Sequence, residues 1–279
     1  MTAGHIEILS GRSAYWMSTP GAGPPIILLG GCGVPHQAWR QVLELLPDLY
    51  TVVLDRPGIS TPWPGRLPLL DHEVATLAAL IDRVGGPAVL VAHSMAAFHA
   101  EGVLRRHPGL VAGLVLVDAS IESKDLSPRG TSVWLWAARL VHLATAVPPV
   151  RGCASLISRI LLAAQSTRGG REAGQDIGGA YQEREAAASV VAEFGAYRQQ
   201  SIDLAALRRQ TDLPAVPTVV ITAAKGSTRR RLRDQALLTE LMGADEVQLG
   251  DARHMLMLDR PDVVATAIRW VRVGCARSS

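Results

Sequence analysis

Ser94 stands where a short apolar run ends and a helix-forming segment begins. Residues 89–92 have the pattern of a strand buried on both faces, and residues 95–106 are rich in helix formers until Pro108. A serine on such a strand-to-helix turn is held out at the carboxyl edge of a parallel sheet. The position therefore predicts a nucleophile for acyl transfer, although serines at strand ends also act as turn or cap residues.

A serine hydroxyl is a weak nucleophile at neutral pH, so this chemistry needs a base and an acid that orients the base. Among the eight histidines, His254 is the candidate base because it lies in the loop after the last predicted strand. The alternative is a loop histidine bonded to a carbonyl group. His93 adjoins the serine on the buried side of the turn, where we expect it to pack and to hydrogen-bond.

The elements that must position these residues alternate in a regular order. Strands and helices separated by short connections predict right-handed crossovers and a mostly parallel, doubly wound α/β sheet. Predicted strands lie at residues 5–11, 14–18, 26–29, 51–54, 88–92, 114–117, 217–222 and 246–249, and predicted helices include 71–84, 229–242 and 262–273. No convincing strand falls between about residues 119 and 211.

Four segments together resemble the α/β-hydrolase superfamily. Residues 92–96 (A-H-S-M-A) resemble its nucleophile elbow, with alanine at both glycine positions. Residues 25–33 resemble the strand and glycine turn that supply half of the oxyanion hole, and residues 52–60 resemble the strand ending in D-x-R-G-x-G-x-S. Residues 246–261 resemble the last strand and its catalytic-histidine loop. The resemblance implies an α/β-hydrolase fold that carries a catalytic triad.

The resemblance also implies how the site would treat the substrate. The backbone amides of Cys32 and Met95 are expected to receive the developing oxyanion, and Gly31 is expected to lie against the substrate. Epoxide hydrolases and haloalkane dehalogenases of this fold need a carboxylate nucleophile. Ser94 therefore favours acyl transfer to water.

The acid departs from the commonest pattern of the family. Relatives usually carry an aspartate shortly after the strand that here ends at Thr222, but residues 223–227 contain none. Some relatives keep the acid at the end of the sixth strand, where this chain has Asp118. Asp118 is the predicted acid, and Glu122 is the alternative.

The strand-free stretch falls where the family inserts a helical cap. We expect residues 1–119 and 212–279 to form the hydrolase core and residues 120–211 to form the cap. Its predicted helices lie at about 133–147, ended by Pro148 and Pro149, at 156–164 and at 181–200. Trp134 and Trp136 are expected to line an apolar pocket for an acyl chain or ring system.

Composition bounds the remaining possibilities. The chain has 279 residues, 48% of them hydrophobic, and a net charge of +3, which gives no case for a nucleic-acid partner. Three widely spaced cysteines predict a reducing, cytoplasmic setting, and no secretory signal or membrane span is predicted. The arginine-rich, lysine-poor composition is typical of a GC-rich bacterial genome.

These features predict a serine hydrolase of an apolar ester or thioester that works through an acyl-enzyme, without metal or organic cofactor. The alternatives are non-hydrolytic use of the same triad, as a lyase, acyltransferase or cyclase, and a non-catalytic binding protein. The arginine run at residues 229–233 is either a solvated face or a contact for an anionic partner, such as an acyl carrier protein or a coenzyme A thioester.

Overall fold

An eight-stranded sheet forms the centre of the molecule. The structure is a computed structural model that describes residues 4–121, 130–168, 177 and 180–278. The strands are β1 (His5–Leu9), β2 (Arg12–Thr19), β3 (Ala22–Leu29), β4 (Leu49–Asp55), β5 (Ala88–His93), β6 (Val111–Val117), β7 (Thr218–Ala223) and β8 (Asp245–Leu249). Their order across the sheet is β1-β2-β4-β3-β5-β6-β7-β8. β2 pairs antiparallel with β1 and β4, and all other pairs are parallel, which confirms the predicted α/β fold.

Helices cover both faces of this sheet. They are α1 (Arg40–Glu44), α2 (Leu70–Val84), α3 (Ala96–Arg106), α4 (Thr131–Ala144), α5 (Pro148–Ala163), α6 (Arg184–Gln210), α7 (Arg229–Met242), α8 (Leu256–Asp259) and α9 (Pro261–Ser278). Short 3-10 turns lie at His36–Trp39, Pro108–Leu110 and Ala180–Gln182. Within the described residues, no helix is both long and apolar enough to cross a membrane.

The central strand β5 shows why its sequence is apolar without alternation. Val89 and Val91 point to one face, where they join a core cluster with Ile268 of α9. Leu90 and Ala92 point to the other face, in a cluster that includes α2 and α3. Successive side chains of a strand alternate between faces, so a strand covered on both sides must be apolar throughout. This burial fixes the end of β5, and with it the position of Ser94.

The long connection between β6 and β7 contains helices joined by turns and loops, and no strand lies in its described residues. It carries α4, α5 and α6, and α6 continues to Gln210 rather than ending near residue 200 as predicted. Pro148 and Pro149, predicted to end the first helix, instead open α5, because a proline fits the first helical turn without losing a hydrogen bond. The division into a core (1–119 and 212–279) and a cap (120–211) stays a prediction.

Candidate active site

Ser94 and Asp118 occupy equivalent positions at the ends of the neighbouring strands β5 and β6. Both have left-handed backbone conformations, with φ of 52° at Ser94 and 42° at Asp118. The sheet ladder continues into both residues, because the Ser94 amide donates to Val117 O (3.1 Å) and the Asp118 amide donates to Ile221 O (2.7 Å). A positive φ is unfavourable for a residue with a side chain, and such conformations cluster at functional sites. The sharp turns aim both side chains over the same edge of the sheet.

A chain of hydrogen bonds joins Ser94, His254 and Asp118. His254 lies between β8 and α8, with Nε2 3.0 Å from Ser94 Oγ and Nδ1 2.5 Å from Asp118 Oδ2. Because an ionised carboxylate only accepts hydrogen bonds, Nδ1 carries the proton in this arrangement and Nε2 accepts from the serine hydroxyl. The structure therefore brings together the three residues predicted to act in catalysis. Glu122, the alternative acid, lies outside the described residues.

Asp118 is buried, with three donors around its carboxylate. Besides His254, Arg231 Nη2 donates to Oδ2 (2.7 Å) and the Ala223 amide donates to Oδ1 (3.1 Å). Burial opposes ionisation of this carboxyl group. The hydrogen bond from His254 and the positive charge of Arg231, to which His254 adds its own charge whenever its ring is protonated, outweigh burial and hold the pKa of Asp118 below its usual value. Asp118 is thus kept in the charged form.

The position of Arg231 was not foreseen. The sequence assigned the arginine run either to solvent or to an anionic partner, but Arg231 turns inward onto Asp118. The first turn of α7 follows β7, and β7 pairs with β6, whose end carries Asp118. The adjacency of β6 and β7 in the sheet was the signal that could have revealed the contact between Arg231 and Asp118. Arg230, by contrast, is exposed, and its Nε lies 3.9 Å from Asp234 Oδ2.

The glycine turn after β3 packs directly behind Ser94. A Cβ atom on Gly31 would stand 2.7 Å from Ser94 Cβ and 2.8 Å from His93 Nδ1, so this position accepts only glycine. The Gly31 amide donates to His93 Nδ1 (3.3 Å) and the Gly33 amide to Glu193 Oε2 (2.6 Å). The amides on both sides of Cys32 are therefore engaged. The close packing behind Ser94 explains this glycine, and the substrate contact predicted for Gly31 stays a prediction.

His93 links this turn to the loop of His254. Since its Nδ1 accepts from the Gly31 amide, its Nε2 carries the proton and donates to the carbonyl oxygen of His254 (2.9 Å). Burial lowers the pKa of His93 to about 3, and the neighbouring charge of His254 acts in the same direction. A permanently neutral ring is required here, because both of its nitrogens are committed to backbone groups.

A buried ion pair that the sequence did not predict anchors the glycine turn after β3. Arg56 follows β4 and donates to the carbonyl oxygens of Gly30 and Gly31, and its Nε lies 2.9 Å from Glu193 Oε1 on α6. Burial alone would lower the pKa of Arg56, but the carboxylate of Glu193 raises it. The hydroxyl of Tyr181 donates to Gly33 O. The pair joins residues 137 positions apart, and a single sequence carries no local signal for it.

A cavity of about 570 Å³ opens beside Ser94. Cys32 and Met95 line it at the serine end, and Trp134 lines it from α4. Burial raises the pKa of the Cys32 thiol well above its usual value, so the thiol stays protonated. The remaining described lining residues are Gly33, Val34, His93, Ser158, Leu161, Leu162, Gln165, Tyr181, Val190, Phe194, Gly195, Tyr197, Arg198 and His254. Carboxylate side chains are absent from this described lining.

Trp136 was wrongly predicted to share the pocket with Trp134. Its side chain is 63% exposed, and the guanidinium of Arg139 lies 5.3 Å from the centre of its ring. Residues two apart on a helix point about 200° around the axis from each other, so only one of the two indoles could face the cavity.

The chain is similar to known hydrolases along most of its length. The family model for the alpha/beta hydrolase family matches residues 21–267. The chain belongs to the alpha/beta hydrolase family. The assignment agrees with the sheet order and with the positions of the elbow and the histidine loop described above.

Individual relatives match only part of this chain or share little sequence identity with it. A pimeloyl-[acyl-carrier protein] methyl ester esterase of Methylococcus capsulatus is 33% identical over 104 residues, which is 37% of this chain and 39% of that protein. Lipase LipV of Mycobacterium tuberculosis is 32% identical over 103 residues, 36% of this chain and 39% of the relative. The matches thus span about two fifths of these curated relatives. The structure of Cfl2 wild-type from Burkholderia cenocepacia has a TM-score of 0.75 at 20% identity and covers 95% of this chain and 94% of its own, which supports the fold. Together these findings support a hydrolase.

Proposed function

We propose that this hydrolase cleaves an apolar ester or thioester through a covalent acyl-enzyme on Ser94. The observation that carries the proposal is the continuous chain of hydrogen bonds from Ser94 through His254 to Asp118, at the wall of an apolar cavity. A nucleophile within hydrogen-bond reach of a base that a third group orients is the arrangement such chemistry requires. The helices between β6 and β7 would act as the predicted cap.

In the acylation step, Ser94 Oγ attacks the substrate carbonyl carbon while its proton passes to His254 Nε2. The resulting oxyanion accepts hydrogen bonds from the amides of Cys32 and Met95, and each such donor typically contributes about 10² to 10³ in rate. The carbonyl re-forms as the bond to the leaving oxygen or sulfur breaks, and this atom takes the proton from His254. Asp118 stabilises the imidazolium that exists between these two transfers.

Deacylation repeats the sequence with water as the nucleophile. His254 Nε2 takes a proton from the water molecule as its oxygen attacks the acyl carbon. When the second tetrahedral intermediate collapses, the proton returns to Ser94 Oγ and the carboxylic acid leaves. Every proton that enters His254 is thereby returned within one turnover.

The cavity supports an apolar acyl group as the substrate portion next to Ser94. Leu161, Leu162, Val190 and Phe194 supply aliphatic and aromatic surface, which favours burial of an alkyl chain or ring. A carrier-protein or coenzyme A thioester is the alternative source of that acyl group. Arg230 would be available to such an anionic carrier at the surface.

Labelling with a fluorophosphonate probe tests the nucleophile directly. We expect the wild-type protein to be labelled at Ser94, whereas Ser94→Ala and His254→Ala should lose labelling and p-nitrophenyl ester hydrolysis by about 10⁴ to 10⁶. Ser120→Ala is the matched control, because Ser120 Oγ lies only 3.4 Å from Ser94 Oγ and has no role in the mechanism. Activity of Ser94→Ala within tenfold of the wild type would overturn the proposal. Identification of the free acid as the product separates hydrolysis from acyl transfer.

A further inference from the structure

Helix α4 carries a stripe of large apolar side chains on its solvent side. Val133, Trp136, Leu140 and Leu143 are each 63–68% exposed. Their spacing of three, four and three residues aligns them along one face of the helix. On an ordinary surface helix a stripe of this kind would face the core.

The packing of α4 explains why the stripe points outward. α4 contacts α6 where the residues of α6 are small, and the side chain of Ala138 is buried in a cluster with Ala192 and Ala196 of α6. Gly195 lies so close to Trp134 that a Cβ atom added to this glycine would stand 2.3 Å from Trp134 Cβ. This close approach packs the side of α4 that carries Leu135 and Ala138 against α6. The stripe of large apolar residues on the other side of α4 is left exposed.

Helix α5 carries a second set of exposed apolar side chains. Leu156, Ile157, Ile160 and Leu161 are each 54–60% exposed, and Leu161 also lines the cavity beside Ser94. We call these four residues and the stripe on α4 the apolar face. Leu161 and Trp134 of α4 line the same cavity, so both helices border it, although the stripe on α4 itself points away from the cavity. Exposed apolar surface of this extent marks an interaction site.

The charges on these helices indicate what covers the apolar face. Residues 131–168 contain Arg139, Arg151, Arg159 and Arg168 and have no aspartate or glutamate. Arg139 stacks on Trp136 within the face itself. Aliphatic and indole side chains bordered by arginines are typical of helices that lie in the interface of an anionic bilayer. A symmetric dimer through this face would place these like charges opposite one another, which disfavours a second copy.

We propose that the apolar face docks the protein onto an anionic phospholipid bilayer. The apolar side chains enter the headgroup region and the arginines contact lipid phosphates, while none of the described helices is long and apolar enough to span the membrane. Each arginine at such a surface strengthens binding about fivefold. Docking goes beyond the proposed hydrolase function and does not depend on it. An apolar substrate dissolved in the bilayer would then be concentrated close to the enzyme.

Co-sedimentation of the full chain with vesicles tests the proposal. We expect binding to vesicles of equimolar phosphatidylglycerol and phosphatidylcholine and much weaker binding to phosphatidylcholine alone. The double variant Leu140→Glu/Leu143→Glu should bind the anionic vesicles at least tenfold more weakly, because two carboxylates would have to enter the negatively charged headgroup region. Leu237→Glu, at a half-exposed leucine of α7, is the matched control and should bind as the wild type does. Arg139→Gln/Arg151→Gln should weaken binding about 25-fold, at about fivefold for each arginine.

Tryptophan fluorescence supplies a second reading that locates the contact. Vesicles should shift the emission to shorter wavelength in the wild type and in Trp270→Phe, which removes an exposed indole of α9, and much less in Trp136→Phe. Hydrolysis of a short, water-soluble ester by Leu140→Glu/Leu143→Glu should equal the wild-type rate, so loss of docking is separable from loss of catalysis.

Three results would overturn the proposal. One is the absence of vesicle binding by wild-type protein whose circular dichroism and thermal transition show it to be folded. Another is equal weakening by Leu237→Glu and by the α4 double variant. The third is a dimer in analytical ultracentrifugation that the α4 double variant dissociates and that vesicles leave intact, because a second copy would then cover the face.

Discussion

Replacing Asp118 with asparagine tests the acid at the level of individual hydrogen bonds. In the wild type, Oδ2 accepts from His254 Nδ1 and Arg231 Nη2, and Oδ1 accepts from the Ala223 amide. Asparagine has one oxygen for these three donors. If that oxygen stays on Ala223, the new NH₂ group faces two donors. To avoid the conflict, His254 must move its proton from Nδ1 to Nε2.

That tautomer cannot accept the proton of Ser94. The nitrogen 3.0 Å from the serine hydroxyl would now carry a hydrogen, and general-base catalysis would stop. The same substitution in a comparable triad lowers kcat by about 10⁴, or about 5.5 kcal/mol in the barrier. We therefore expect kcat/KM of Asp118→Asn to fall by about 10³ to 10⁴.

The assay is kcat/KM for a p-nitrophenyl ester at neutral pH, with the melting temperature measured alongside. Asp251→Asn is the matched control, because Asp251 is an exposed aspartate in the loop of His254 and pairs with Arg260. It should keep wild-type activity. Arg231→Gln leaves the carboxylate and the tautomer in place and should lose about tenfold or less. Activity of folded Asp118→Asn within tenfold of the wild type would refute the reasoning, as would an equal loss in Asp251→Asn.

Three further predictions concern the groups that hold the site. Gly31→Ala should lower kcat/KM at least 100-fold, because the new methyl group would displace Ser94, which steady-state kinetics would measure. Glu193→Ala should lower the free energy of unfolding in urea by about 3–5 kcal/mol, because it leaves the buried charge of Arg56 without its closest partner. His93 has a folded-state pKa of about 3, below the value of about 6.5 in the unfolded chain, so only the unfolded state gains this proton as pH falls between these values. The contribution of neutral His93 to stability is therefore complete above pH 6.5. Between pH 6.5 and pH 3, urea titrations should show the free energy of unfolding falling by on the order of several kcal/mol.

Each of these predictions has a control in the chain. Gly109→Ala adds a methyl group in open space and should leave activity unchanged. Glu185→Ala removes a carboxylate from the first turn of α6 and should cost less than about 1 kcal/mol. His93→Asn should flatten the acid side of the stability profile, whereas the exposed His107→Asn should not. A profile of His93→Asn that matches the wild type would contradict the role given to His93.

The sequence by itself determined the fold and the positions of the nucleophile and base candidates. Ser94 follows an apolar strand and precedes a helix, and His254 follows the last strand, so chain-local patterns reveal both. Alternating strands and helices can close into a parallel sheet in few ways, because crossovers are short and right-handed. Local order therefore also implied that the two residues would meet at one edge of the sheet.

The tertiary structure decided which distant groups meet these residues. Asp118 gains Arg231 only because β7 lies beside β6, and Arg56 meets Glu193 only because α6 folds back beneath the glycine turn. The sequence likewise predicted a helix at about residues 133–147 but left open which of its faces would pack. Close approach to α6 buried the side that carries Ala138, turned Trp136 outward and exposed the apolar stripe. Sequence patterns report geometry within one element, whereas contacts between elements depend on strand order and on side-chain volumes brought together from distant parts of the chain.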